Sequence, residues 1–169
     1  MLFRKMRRAG QQLPDDETRE IMERNTEGVL SLFGENGYPY GVPVNYVWHE
    51  GKIYFHAAAA GHKKDAMEQN GKVCFTVIDT HEVLPAERAT RYRSVIAFGQ
   101  ARFLEDPEEK YQALRIFGMK HSGDYPEDVE NEIREAFSRT LAVEITVDHI
   151  TGKESLDLME ERKRKNPAI

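Results

Sequence analysis

A chain of 169 residues with a formal net charge of -5 is sized for one domain and has no general affinity for nucleic acid, so any anion site must be local. Hydrophobic residues make up 40% and charged residues 31%, an ordinary balance for a soluble protein with a core, and no segment reaches membrane-spanning length. One cysteine, Cys74, excludes an intramolecular disulfide and a multi-cysteine metal site, which fits a reducing, cytoplasmic compartment.

The first residues, MLFRKMRRAGQQ, are basic without an apolar centre and do not read as a secretory signal. Residues 15–26 follow as a short helix with acidic residues at its start and Ile21 and Met22 on its apolar face. GVLSLF, 28–33, reads as a buried strand, and Asn36-Gly37 marks a turn. The next strand, 41–48, puts Val42, Val44, Tyr46 and Trp48 on one face and Pro43, Asn45 and Val47 on the other. Pro43 lacks an N–H, which suits an edge or a bulge. Glu50-Gly51 then turns the chain into the strand that begins at Ile53.

A helix over 62–70 stops at Gly71. KVCFTVI, 72–78, is a strand with Val73, Phe75 and Val77 on one face, and Cys74 within it reads as a buried, inert thiol. Residues 79–90 have the mixed polarity of a loop. The strand 92–105 carries Gly99, the mark of a bend or a close approach.

Asp106-Pro107-Glu108-Glu109 is a capped helix start, and that helix lines up Tyr111, Leu114 and Phe117. A further helix covers 126–139. The last strand, 141–150, alternates, with Leu141, Val143, Ile145 and Val147 inward and Glu144, Thr146 and Asp148 outward. Residues 1–150 thus make one domain, and 151–169 a charged, solvated tail. About six strands in hairpin order with helices between them predict a mainly β fold: a small antiparallel barrel with peripheral α-helices.

Three stretches could carry chemistry. In IYFHAAAAGHKKDA, 53–66, a strand ends in small side chains and a helix opens with His62, Lys63 and Lys64. Cations at that end oppose the helix dipole, so a negative group is expected there, and the free N–H groups of a first turn suit a phosphate. An exposed turn followed by a charged helix face is the plainer alternative. In GVPVNYV, Asn45 could orient a planar ligand or face solvent. Arg91, Arg93 and Ser94 could meet a phosphate or line a solvated edge. His49, His81, His121 and His149 are scattered and read as surface residues, with no spacing that matches a metal site. No nucleophile elbow, zinc-protease or phosphate-loop motif occurs, so chemistry would have to come from a bound cofactor.

Taken together, GVLSLF, GYPYGVPVNYVW, KIYFHAAAAGHKKDAMEQNGKVCFTVID and YRSVIAFGQARFLEDPEEK, in that order, resemble the pyridoxamine 5′-phosphate oxidase-like flavoproteins, and most of all the branch that includes nitroimidazole-resistance reductases. The resemblance spans about residues 6–148. It implies a six-stranded split β-barrel of Greek-key type that forms a homodimer, with FMN in clefts between the subunits. It sets Pro43, Val44, Asn45 and Tyr46 along the flavin ring, and His56 and Ala57 near the ring and ribityl chain. His62 and Lys63 fall at the phosphate, and Ser94, with Arg93 beside it, at a polar flavin contact.

The C-terminal residues lack the oxidase's substrate-phosphate motifs, so oxidation of pyridoxamine phosphate itself is not expected. The expected activity is an FMN-dependent oxidoreductase that passes hydride or electrons to a small planar acceptor, with His56 as proton donor. The alternative is a carrier or sensor that binds flavin or haem without turnover. Neither nucleic acid nor a membrane is an expected partner.

Overall fold

The computed structural model describes residues 3–165. Alternation builds the strands. β1 (Glu27–Phe33), β4 (Lys52–Ala58), β5 (Lys72–Leu84) and β6 (Ala89–Phe103) turn Leu30, Ile53, Phe55, Phe75, Val77, Val95 and Ala97 into one core. β2 (Pro39–Asn45), β3 (Val47–His49) and β7 (Thr140–Glu154) complete an antiparallel sheet of order β2-β1-β5-β6-β7-β4-β3. Five helices surround it: α1 (Asp15–Arg24), α2 (His62–Gln69), α3 (Pro107–Ser122), α4 (Pro126–Ala136) and α5 (Leu156–Lys165). The fold is the expected mainly β split barrel with peripheral helices. None of the helices described is long and apolar enough to cross a membrane.

The ends of that strand order meet through the chain itself. β2 pairs with β1, ending at Asn45↔Glu27, and β3 pairs with β4, beginning at Val47↔Tyr54. Only Tyr46 lies between them. The single strand read over 41–48 is therefore two strands that grip opposite ends of the sheet. Alternation fails there because Tyr46 and Val47 are both buried. The Tyr46 backbone N–H donates to the Thr26 carbonyl at 2.9 Å, and its hydroxyl donates to the Met22 carbonyl at 2.9 Å. Its ring meets Phe75 edge-on at 5.0 Å. Burial of the phenol without an acceptor would be unfavourable, so α1 and this junction fix each other.

Gly99 has the role its position suggested. The β6–β7 register shifts between Phe98 and Gly99, and a Cβ at Gly99 would run into the Thr146 carbonyl oxygen. Asp106 caps α3 by accepting from the Glu108 and Glu109 N–H groups at 3.0 and 2.9 Å.

Three further expectations change. Residues 79–90 are not a loop: β5 and β6 continue as a long hairpin that turns through Pro85–Glu87 and Arg88, which has φ +50°. Its outer part has no inward apolar face, so periodicity gave no sign of it, and ladder hydrogen bonds hold it instead.

Glu144 is not outward in solvent. Helices α3 and α4 lay a second apolar cluster, including Leu114, Val129 and Ile133, over the outer face of β4 and β7, and Glu144 is 4% exposed beneath them. It accepts from Lys52 Nζ at 3.0 Å, Tyr54 hydroxyl at 3.0 Å and Arg102 Nε at 2.8 Å.

Finally, 151–165 is not a frayed tail, since β7 runs to Glu154 and α5 follows. Glu154 is fully buried and is met by Arg162 at 2.8 Å and Arg93 at 3.3 Å. The charges that looked solvated compensate one another. Residues 166–169 of the expected tail lie outside the described part.

Candidate functional site

β4 ends at Ala58 and the chain passes through Ala59, Ala60 and Gly61 into α2. Gly61 has φ +125°, a conformation that side-chain-bearing residues rarely adopt, so the turn into α2 depends on glycine. Of the three basic side chains that open α2, two have partners. Lys64 pairs with Glu68 one turn on. His62 stacks on Tyr40, with centroids 4.1 Å apart and planes 16° from parallel, and its Nε2 lies 3.9 Å from Glu35 Oε1.

Lys63 differs. It is half-buried, its Nζ stands 5.7 Å from the centroid of the Phe55 ring, and among the described residues no carboxylate pairs with it. Burial pushes its pKa down. A desolvated ammonium with no counter-charge favours an incoming anion.

His56 points away from the core toward α3. Phe117 of α3 meets its ring edge-on at 4.7 Å, and the same Phe117 lies 4.4 Å from the ring of His121. His121 Nε2 is 3.1 Å from the Tyr46 carbonyl oxygen. A carbonyl only accepts, so this contact places the proton on Nε2. Burial lowers the His56 pKa first of all; Glu132 pulls it up, and Lys63 and His121 push it down further.

The strand residues divide by face. Val44 packs against the core, Tyr46 is buried and Ala57 is 5% exposed. Pro43 and Asn45 are exposed on the outer side of β2. Ser94 pairs with Ile78 and Lys153, in line with Ile96 and Phe98 on the outer side of β6. Arg93 points the other way and is held by Glu154.

His56 pairs with Ala142, whose carbonyl accepts from Leu104 N–H at 2.9 Å. Ten residues of β6 separate Ser94 from Leu104, a run of up to about 33 Å along the strand. One chain therefore gathers Ala57, His56, His62 and Lys63 around the β4–α2 turn and leaves Arg93 and Ser94 far from them.

A separate apolar cavity lies elsewhere again. A groove of about 890 Å³ runs over the outer sheet face between Phe33, Tyr38, Pro39, Cys74 and Phe98, and none of the sequence-predicted site residues lines it. Phe3 lies in this groove, stacked on His149 at 4.6 Å and on Phe98 at 5.4 Å. Cys74 is thus half-exposed in an apolar groove and not a core thiol; burial still raises its pKa and keeps it protonated near neutrality.

The family model for pyridoxamine 5′-phosphate oxidase matches residues 14–154, which contain the barrel and the β4–α2 turn. The chain belongs to the pyridoxamine 5′-phosphate oxidase family. No curated protein matches it significantly.

Three solved structures show how widely the oxidase-family barrel is shared. A candidate 5-nitroimidazole antibiotic resistance protein from Bacteroides thetaiotaomicron is 23% identical, with TM-score 0.69 over 85% of this chain and 86% of that one. The conserved hypothetical protein Rv2991 from Mycobacterium tuberculosis is 18% identical, with TM-score 0.77 over 91% and 92%. The FAD and heme binding protein from Mycobacterium smegmatis is 15% identical, with TM-score 0.71 over 90% and 80%.

In this member of the oxidase family, sequence reasoning missed Phe117 and His121 as neighbours of His56. Their signal was present: positions 114, 117 and 121 of α3 are spaced three and four apart, so the face that buries Leu114 also carries both. Tyr40 and Glu35 were missed because the hairpin that brings them to His62 is a tertiary feature.

Proposed function

We propose that the protein is a flavin-dependent oxidoreductase that binds FMN at the β4–α2 turn and passes electrons to a small planar acceptor. The observation that carries this reading is Lys63, a half-buried ammonium without a carboxylate partner, at the start of a helix and next to a run of alanines, in a chain of this family. Those residues fit a ribityl phosphate: the ammonium and the first N–H groups of α2 would hold the phosphate, and Ala57 to Ala60 leave space for the chain behind it. Asn45, with the backbone of Val44, would orient the ring. Bound flavin supplies hydride or single-electron transfer, and His56 offers a proton on the acceptor side. Pyridoxamine phosphate is not the proposed substrate.

The cofactor site is completed by a second copy of the chain. Pro43, Asn45 and Ser94 share the outer sheet face with Phe33, Ile78, Ile96 and Phe98, which are 61%, 62%, 39% and 38% exposed. An uncovered apolar face of this kind suits burial against its twin. It would also bring the partner's copy of Ser94 within reach of the flavin.

A carrier without turnover is the second reading, favoured by the FAD and heme binding protein among the structural relatives. Freshly purified protein distinguishes them. A yellow dimer, bleached by a nicotinamide cofactor and recoloured by a nitroaromatic, is the expected result. A Soret band, or a yellow protein that no reductant turns over, defeats the enzyme reading. Phe98→Glu should convert the dimer to monomer in sedimentation and release the flavin with it.

His62 is already engaged, and this gives a smaller prediction. Glu35 competes with a phosphate for that imidazole, so Glu35→Gln should tighten FMN binding by about threefold, the scale of one exposed ion pair. Fluorescence titration with FMN reads this directly, and weaker binding in the variant would show that Glu35 supports the site.

A further inference from the structure

The β5–β6 hairpin runs on past the barrel. From Thr80 to Leu84 and from Ala89 to Tyr92 its two strands pair only with each other among the described residues. Ladder bonds alone leave a coreless two-stranded ribbon marginal in water, and this one has help at two places. Its root is pinned. The register shifts between Ile78 and Thr80 and leaves Asp79 as an extra residue. Arg24, at the end of α1, grips Asp79 through two hydrogen bonds of 2.7 Å, and Asn25 adds one of 2.8 Å. Its back is braced by α5. Arg91 Nε stands 2.7 Å from Asp157 Oδ2, Arg91 also meets Glu161, and the Ser155 N–H donates to the Tyr92 carbonyl at 3.0 Å.

The extra residue decides what the front of the hairpin carries. Unbroken alternation from Ile78 would turn Thr80 and Glu82 to the outer side of the sheet. The bulge turns out His81 and Val83 instead, opposite Tyr92 and Thr90. Ile78, Val83 and Tyr92 therefore continue the apolar line of Ile96 and Phe98, and Val83 is 59% exposed. His81, and Lys153 above the Tyr92 ring, are the basic members of this front.

We infer that the outer β5–β6 hairpin is a docking arm whose front packs on a second copy of this chain. The inference rests on the two-copy assembly proposed above and names the element that completes it; it does not need the flavin. Size points to the twin. From the level of Phe33 to that of Ile78 the five strands of the barrel face span roughly 480 Å² at ordinary rise and spacing, and the arm adds roughly 200 Å². A stable interface takes about 600 Å² or more from each partner, which the barrel face reaches only with the arm. The pinned root and the braced back hold the arm in line with that face, so the two surfaces meet a partner as one.

Sedimentation of the full chain supplied with FMN, over a dilution series, tests this. Val83→Glu alters a side chain that solvent already reaches in the single chain, so the far-UV circular dichroism should hold. The dimer dissociation constant should rise by about a hundredfold, because a two-fold interface buries the new carboxylate twice. Glu82→Gln, one residue away on the back of the arm, should leave the dimer as it is. A Val83→Glu dimer as tight as the parent's overturns the inference. So does a parent that stays monomeric at every concentration, which would leave the front to a different protein. If Phe98→Glu separates the copies and Val83→Glu does not, the arm fails and the assembly over the barrel face stands. An arm-dependent dimer that takes up no flavin supports the arm and defeats the flavin reading.

Discussion

Lys63→Met is expected to weaken FMN binding by roughly a hundredfold and to leave riboflavin, which lacks the phosphate, within about twofold. Methionine keeps an unbranched side chain over Phe55, so the packing contact survives and only the charge is lost. In the ligand-free protein the ammonium is partly desolvated with no carboxylate partner among the described residues, which is unfavourable. Its removal should therefore leave the apo protein as stable as before or slightly more stable. Loss of function with equal or greater stability is the mark of a binding residue, because a structural lysine would lose stability on replacement. Titration of the variant with FMN and riboflavin decides the matter, and a variant that binds FMN as the parent does removes the observation on which the proposed function stands.

Glu144→Ala carries the largest expected effect on stability, about 2 to 3 kcal/mol in urea denaturation, the scale for losing charge-assisted hydrogen bonds to a buried carboxylate whose cationic partners stay in reach of water. The carboxylate is 4% exposed and serves Lys52, Tyr54 and Arg102 at once. Its removal takes the acceptor from the Tyr54 hydroxyl and the shared carboxylate from Lys52 and Arg102, whose side chains are 39% and 49% exposed. Although burial alone would raise its pKa, these hydrogen bonds outweigh it and hold the group at about 2, while the Tyr54 hydroxyl is pushed up to about 12, chiefly by burial and then by Glu144.

The Glu144 pKa is depressed on folding, so its contribution is complete above the ordinary carboxylate value of 4.5 and is lost as pH falls toward 2. That depression amounts to about 3 kcal/mol. Wild-type stability should therefore drop steeply over this interval, and Glu144→Ala should flatten the profile there. A loss below about 1 kcal/mol would mean that the cluster is no stronger than an exposed one.

Much of the barrel could be read from the chain because its inner strands alternate and its first turns carry clear signals. Val73, Phe75 and Val77 fall inward as periodicity demands, and Asp106 caps α3 as its sequence context indicates. The failures share a cause: each depends on what another part of the chain brings. Tyr46 breaks a strand because Thr26 and Met22 supply partners for it. Glu144 is buried because two helices inserted before β7 fold back over its outer face. The outer β5–β6 hairpin has ladder bonds but no core.

At the site, the strand end, the glycine turn and the cations were legible, since helix-end electrostatics is local. That Lys63 rather than His62 lacks a partner was not, because Glu35 and Tyr40 arrive from a hairpin more than twenty residues away in the chain.

The seam at Tyr46 has a consequence for synthesis. β4 registers on β7, Lys52 against Thr146, so the ring of strands cannot be completed until β7 has been made. A nascent chain that still lacks β7 holds the Val47–Tyr54 hairpin with one flank bare, an open edge that invites mispairing. That edge stays open until β7 emerges, so cover of the waiting hairpin by a chaperone should raise the yield of folded protein.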